Sequence, residues 1–126
     1  MTREIVRTDR APEPVGPYSQ AIATADFVFT AGQTGLKPGT KDFAGADAAA
    51  QTRQALDNLK AVLLKAGCAL ENVLKTTVFL ADMDDFAAVN EVYATYFRHD
   101  PPARSVVEVA RLPLGARVEI ECIAHK

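Results

Sequence analysis

Metal ligands are scarce in this sequence. It holds two histidines and two cysteines, and neither His99 nor His125 stands at ligand spacing from another histidine, a cysteine or an acid. That argues against a zinc hydrolase. Cys68 and Cys122 lie in apolar surroundings, Ala66-Gly67-Cys68-Ala69-Leu70 and Ile120-Glu121-Cys122-Ile123. They read as buried, reduced thiols rather than a disulfide framework or a metal site. A basic stripe is missing as well: 14 Lys and Arg are scattered against 16 Asp and Glu, for a formal net charge of −2. Nonspecific nucleic-acid affinity rests on neutralising phosphates, so no nucleic-acid partner is expected. No stretch approaches the ~20 apolar residues of a membrane span. Met1-Thr2-Arg3-Glu4-Ile5-Val6 is followed by charge and proline rather than an apolar run; no signal peptide is read, and a cytoplasmic protein is the expectation. GxSxG, P-loop and dinucleotide fingerprints are absent too. Gly32-Gln33-Thr34-Gly35 is only a turn-rich segment.

What is there suits one globular domain over residues 1–126, with 48% hydrophobic and 24% charged residues. Ile5 to Arg7 reads as a short edge strand, and Asp9 to Gly16 as a proline-containing loop. Ala25 to Ala31, with Phe27-Val28-Phe29, reads as a strand, and Leu36 to Gly45 as mostly loop. Asp47 to Ala66 is the clearest helix: Leu56, Leu59, Leu63 and Ala66 recur at helical spacing, and Gly67 is a natural stop. Val73 to Leu80 follows as a strand. Asp82 reads as the N-cap of a second helix that carries Phe86, Val89, Tyr93 and Phe97 on one face and stops before Pro101.

The last strands read as a hairpin around Leu112-Pro113-Leu114-Gly115. From Arg117 to Ala124 the apolar residues Val118, Ile120, Cys122 and Ala124 alternate with Arg117, Glu119 and Glu121. Pairing Arg111 with Ala116 sets Val109 against Val118 and Val107 against Ile120. Arg104, Val106, Glu108, Glu119 and Glu121 then share the opposite face. The layout is α+β, two helices on one face of a sheet. The other face reads as an oligomer interface that also holds a site, or alternatively as a solvent-facing surface.

Candidate chemistry centres on Arg104. Pro101 and Pro102 stiffen the backbone before it, so its guanidinium is held at a strand end and suits bidentate capture of a carboxylate. The bland alternative is a surface arginine capping a strand. Glu119 and Glu121 could supply an acid or base if burial raises a pKa, or could form a solvated strand face. Tyr18, in the Gly16-Pro17-Tyr18 turn, is a further candidate or simply a half-buried aromatic. In the hairpin register Glu119 is roughly 13 Å along the strand from Arg104. The two then need a bulge, strand twist or a neighbouring subunit to meet on one small molecule.

Six blocks in order, Gly16-Pro17-Tyr18-Ser19-Gln20-Ala21, Phe29-Thr30-Ala31-Gly32-Gln33, Gln54-Ala55-Leu56-Asp57-Asn58-Leu59, Lys75-Thr76-Thr77-Val78-Phe79-Leu80, Pro102-Ala103-Arg104-Ser105 and Val118-Glu119-Ile120-Glu121-Cys122-Ile123-Ala124, resemble the RidA (reactive intermediate deaminase, or YjgF) family. The resemblance implies a chorismate-mutase-like fold assembled as a homotrimer, with sites between subunits. It implies hydrolysis of 2-imino acids, the tautomers of 2-aminoacrylate and 2-aminocrotonate, to 2-keto acids and ammonia, with no cofactor and no metal. By this resemblance Arg104 clamps the substrate carboxylate, Tyr18 lines the pocket, Glu119 positions or activates water, and Gly32 with the adjoining Ala31 lines the strand end. The same resemblance admits a deaminase of a larger amino-enal or aminoacrylate-type catabolic intermediate, or a non-catalytic carboxylate-binding regulator or holdase.

Two positions depart from the family pattern. Ala31 stands where well-studied deaminases have serine or threonine, and Thr30 should point to the other face of the strand. Val106 stands where many members have cysteine. A roomier, less polar pocket is the expectation.

Overall fold

The computed structural model describes residues 2–126. Eight elements carry the fold: β1 (Glu4–Val6), β2 (Ala21–Ala23), β3 (Phe27–Thr30), α1 (Ala48–Lys65), β4 (Val73–Leu80), α2 (Phe86–Tyr96), β5 (Ala103–Glu108) and β6 (Val118–His125). The strands form one six-stranded sheet in the order β1-β2-β3-β6-β4-β5. All neighbours run antiparallel except β4 and β5, which are parallel and joined through α2. Both helices lie on one face, so the α+β reading holds. No helix among the described residues is long and apolar enough to cross a membrane.

The helix signals act as their chemistry dictates. Asp47 has an extended backbone and accepts a 2.7 Å hydrogen bond from the Ala50 N–H, satisfying one of the orphan donors of the first turn. At the other end Gly67 takes a φ of 85°. The Gly67 N–H then donates to the Leu64 carbonyl and the Cys68 N–H to the Leu63 carbonyl, a Schellman closure. Leu56, Leu59, Val62 and Leu63 are fully or almost fully buried against Val118, Ile120, Cys122 and Ala124 of β6 and Val78 and Leu80 of β4. Val89, Tyr93 and Phe97 of α2 complete this core, whereas Phe86 is 37% exposed. Both cysteines are buried free thiols, as their surroundings predict.

Three expectations need correction. First, β2 is a strand of its own, and β3 begins only at Phe27, because Thr24-Ala25-Asp26-Phe27 forms a turn closed by the Thr24 N–H on the Phe27 carbonyl. Second, Asp82 caps a short 3₁₀ turn (Met83–Asp85) that leads into α2, accepting from the Asp84 N–H at 2.9 Å. Third, β5 and β6 do not form a hairpin. Strand β4 lies between them: Val78 pairs with Val106 on one side and with Ile120 on the other. The segment through Leu112-Pro113-Leu114-Gly115 instead carries the chain across the end of β4, where the Val109 N–H donates to the Leu80 carbonyl and the Ala81 N–H to the Arg117 carbonyl.

This pairing reverses the face of β5. Side chains alternate along a strand, so a one-residue change of register exchanges the two faces. Arg104, Val106 and Glu108 stand beside Thr76, Val78 and Leu80 on the helix-covered side. Glu119 and Glu121, opposite Phe79 and Thr77, stand on the open side. That open side also carries the exposed Ile5, Phe27, Phe29 and Val107.

Residues 31–46 have little regular structure, yet buried amide side chains fix them. Asn58, on α1 and fully buried, donates to the carbonyls of Thr34 (3.1 Å) and Leu36 (2.9 Å) and accepts from Gln54. Gln51 donates to the Gly45 carbonyl and accepts from the Arg117 N–H. Gln33 exchanges both backbone hydrogen bonds with Ile120. Replacing the buried amide by an isosteric apolar group leaves two carbonyls without partners. Asn58→Leu is therefore expected to lower the unfolding free energy by about 2–4 kcal/mol. Urea unfolding checks this, and an unchanged midpoint would show that water replaces the amide freely.

Candidate functional site

The loop fixed by Asn58 forms one wall of a cleft of about 510 Å³. Tyr18, Gly32, Leu36, Leu114 and Glu119 are among its lining residues. Glu119 reaches it because β6 alternates, with Val118 and Ile120 anchored in the core and the residue between them on the open face. Gly32 reaches it because the chain leaves β3 at Thr30 and bridges directly to Ile120 through Gln33. Tyr18 comes from the loop before β2, half exposed, with its hydroxyl accepting a long 3.4 Å contact from the Val15 N–H.

Gly32 leaves room for the Glu119 side chain. A Cβ at Gly32 would stand 2.7 Å from Glu119 Cδ and 2.8 Å from its Cγ, so any side chain there displaces the carboxyl group. Ala31 also lines the cleft. Thr30 does not compensate for the missing hydroxyl: its Oγ1 turns to the other side of the sheet and accepts from the Cys122 N–H at 2.9 Å. Burial pushes the Cys122 thiol up to about 11, which keeps it protonated and unreactive.

Glu119 is half-buried, and no described side chain forms a salt bridge with it; the ion pairs among the described residues are Arg7–Glu13 and Arg117–Asp85. Burial, and secondarily the neighbouring Glu121 charge, hold its carboxyl above the ordinary carboxylate range. A carboxyl group raised in this way holds its proton to higher pH than an exposed glutamate does and is suited to acid–base work.

Tyr18, Ala31, Gly32 and Glu119 thus converge. Arg104 does not join them within one chain. It stands on the opposite face of the sheet, two strands from β6 and roughly 14 Å from Glu119 by strand spacing and rise, and is absent from the cleft lining. The shared face expected for Arg104 and Glu119 is therefore overturned by the insertion of β4. Val106, beside Arg104, packs on the core and does not line the cleft. Arg104 instead rests on α2. Its Nη1 donates to Asn90 Oδ1 at 2.8 Å, and its Cζ lies 4.7 Å from the Tyr93 ring centroid and 5.7 Å from that of Phe86. The helical spacing places Phe86 and Tyr93 on one face of the second helix and gives Asn90 no role. A polar residue set between two aromatics on one helix face was the available signal.

The raised carboxyl has a thermodynamic consequence. Between the ordinary carboxylate range and the raised native value, the native state binds more protons at Glu119 than the unfolded chain does. Stability contributed by this group is present below that window and falls as pH rises through it. Glu119→Gln is expected to unfold at a higher urea concentration than the unchanged protein at about pH 7, with the gap closing toward roughly pH 4. A gap independent of pH would show that Glu119 ionises as an exposed glutamate does.

The family model described as Endoribonuclease L-PSP matches residues 8–126. A RutC family protein of Synechocystis sp. is 57% identical over 126 residues, covering 98% of this chain and 97% of that protein. A 2-iminobutanoate/2-iminopropanoate deaminase of Mus musculus is 48% identical over 122 residues, covering 97% and 90%. Among solved structures, E. coli TdcF with bound serine superposes with a TM-score of 0.94 at 42% identity, covering 98% of each chain. The ordered motif blocks, the sheet topology and these likenesses agree, and the chain belongs to the RidA (YjgF) family.

Proposed function

We propose that this protein is an enamine/imine deaminase that hydrolyses reactive 2-imino acids, such as 2-iminopropanoate and 2-iminobutanoate, to 2-keto acids and ammonia. The observation that carries the reading is Glu119: a half-buried carboxyl with a raised pKa, set against Gly32 in a largely apolar cleft. A relative 48% identical that bears the name 2-iminobutanoate/2-iminopropanoate deaminase supports it. The serine bound to TdcF, a small amino acid, is in keeping with a ligand of this class.

The chemistry asks little of the protein. A protonated imine is already electrophilic at C2. Glu119, as the carboxylate, takes a proton from water as the water oxygen bonds to C2, giving a carbinolamine. As the acid, it returns that proton to nitrogen. The C–N bond then breaks as the Glu119 carboxylate takes the hydroxyl proton, so the carbonyl forms and ammonia leaves; that proton passes on to the ammonia as ammonium, and one water is consumed per imine. Orientation and proton transfer account for such catalysis without a strong nucleophile. Tyr18 and Ala31 shape the wall that holds the substrate. The cleft, at about 510 Å³, also admits longer apolar side chains, which favours a larger catabolic intermediate as the second reading.

Arg104 is the carboxylate clamp in this proposal, and it comes from a second copy of the chain. Within one chain it lies on the wrong face to serve Glu119, while the open face, with Phe27, Phe29 and Val107 exposed, has the character of an interface. The proposed assembly is a homotrimer with a site at each junction.

A pyridoxal-phosphate-dependent dehydratase that releases 2-aminoacrylate provides the assay, with keto-acid formation followed over time. The unchanged protein is expected to accelerate it. Arg104→Ala is expected to lose about 10- to 150-fold in kcat/KM, the worth of a charged hydrogen bond. Glu119→Gln is expected to lose about 100-fold or more in kcat. Co-assembling the two impaired variants is expected to restore part of the activity, because some junctions then pair an intact Arg104 with an intact Glu119. Equal rates for all proteins would overturn the mechanism. Saturable keto-acid binding without acceleration would make the protein a binding module.

A further inference from the structure

Among the described residues, the side chains that hold Arg104 are all neutral, and the acids on the same side of the sheet have partners of their own. Glu108, on the same strand, accepts a hydrogen bond from the Met83 N–H at 2.8 Å. Asp85, just before α2, is held by Arg117 through Nε at 3.0 Å and Nη2 at 2.7 Å. Both acids are thus committed elsewhere. The acceptor offered to Arg104 is the amide oxygen of Asn90, 2.8 Å from Nη1. Its other supports are the ring of Tyr93 at 4.7 Å and that of Phe86 at 5.7 Å. Tyr93 is itself fixed, because its hydroxyl and that of the fully buried Thr76 lie 2.7 Å apart in a hydrogen bond.

We infer that Asn90 is a positioning residue for the carboxylate clamp: it orients the Arg104 guanidinium through one N–H while leaving its charge unpaired and the rest of its donor fork free. The inference rests on the proposed role of Arg104 in binding the substrate carboxylate. The physical argument is one of charge. A guanidinium has five N–H donors in a fixed fork. A neutral acceptor spends one of them and none of the positive charge. A carboxylate in the same place would make a charge-assisted pair, and the incoming substrate would have to compete with it. The aromatic faces stabilise the cation without offering it a counter-charge. Asn90, Tyr93 and Phe86 lie on one face of α2 at helical spacing, so the helix presents the whole cradle as a rigid unit.

Two variants separate positioning from simple support of the helix. Asn90→Ala removes the tether and keeps the charge. KM for the imino acid is expected to rise about 5- to 10-fold with kcat within about 2-fold, the loss of one oriented hydrogen bond. Asn90→Asp is isosteric and keeps the hydrogen bond but adds the competing charge. It is expected to be the worse of the two, raising KM about 30-fold or more. A purely structural role predicts the reverse order, with the isosteric Asp tolerated best. Binding of 2-ketobutanoate, measured by calorimetry, provides a readout independent of turnover and should weaken in the same order. Hydrolysis by the unchanged protein, with KM and 2-ketobutanoate affinity unaltered in Asn90→Asp, overturns the positioning role and leaves the deaminase reading intact. Binding that weakens as stated, in a protein that hydrolyses nothing, supports the positioning role and removes the deaminase reading. An unchanged protein that neither hydrolyses imine nor binds 2-ketobutanoate overturns both.

Discussion

The placement of β4 between β5 and β6 governs which side chains in this protein can meet. Val78 pairs with Val106 and Ile120 at once, so every residue of the outer strands has its face decided by that register. A one-residue slip of β6 would carry Val118, Ile120 and Cys122 out of the core and drive Glu119 and Glu121 into it. The desolvation cost of two unpaired carboxylates makes such a slip prohibitive. The same parity that protects the core holds Glu119 on the open face, and the register of β5 sets Arg104 behind it. Separation of the carboxyl from the guanidinium is therefore not a local accident that a side-chain rotation could undo. It is a consequence of how the sheet is assembled.

A second constraint makes the cleft firm without secondary structure. The chain between Ala31 and Ala46 forms only isolated bridges, yet Asn58 and Gln51 reach out of α1 to satisfy its carbonyls. Among buried groups an unmet hydrogen bond is expensive, so these amides fix the loop as effectively as a strand ladder would. Glu119 depends on that firmness. Its carboxyl is raised chiefly by burial, and burial lasts only while the wall stays in place. Gly32 completes the arrangement, because only a missing side chain lets the backbone lie against the carboxyl group.

Much of this was legible in the sequence where the signal was local. Asp47, the Leu56–Leu59–Leu63 spacing and Gly67 define α1 to within a residue, and the alternation from Val118 to Ala124 identifies which face of β6 is buried. What failed was non-local. Nothing in Leu112-Pro113-Leu114-Gly115 distinguishes a hairpin turn from a crossing over β4, and that choice alone reversed the face of Arg104. Strand β2, Ala21–Ala23, was too short to carry a pattern. The site shows the same division. Tyr18, Gly32 and Glu119 come from separate segments, and only the resemblance of ordered blocks joined them in advance. Asn90 and its aromatics went unassigned because helical periodicity accounts for Phe86 and Tyr93 as one face of a helix without reference to the arginine they hold.

The distribution of charge gives the proposed assembly a chemical meaning. Taken alone, the cleft meets a substrate carboxylate with mixed charge: Glu119 and Glu13 line it against Lys41, and Glu121 is close enough to raise the Glu119 pKa. An anionic ligand entering it would push the Glu119 carboxyl still further toward the protonated form, since like charges disfavour one another. A guanidinium arriving from another copy reverses this, drawing the ligand in and pulling the carboxyl back toward ionisation. The two effects oppose each other across a short distance in a partly dry site, where Coulomb interactions are stronger than in water. In the proposed trimer the two effects would act on Glu119 in opposite directions. In that proposed assembly Arg104 would act on the acid as well as on the substrate, and Asn90, by leaving the charge of that arginine unpaired, would preserve the influence on which both proposed roles depend.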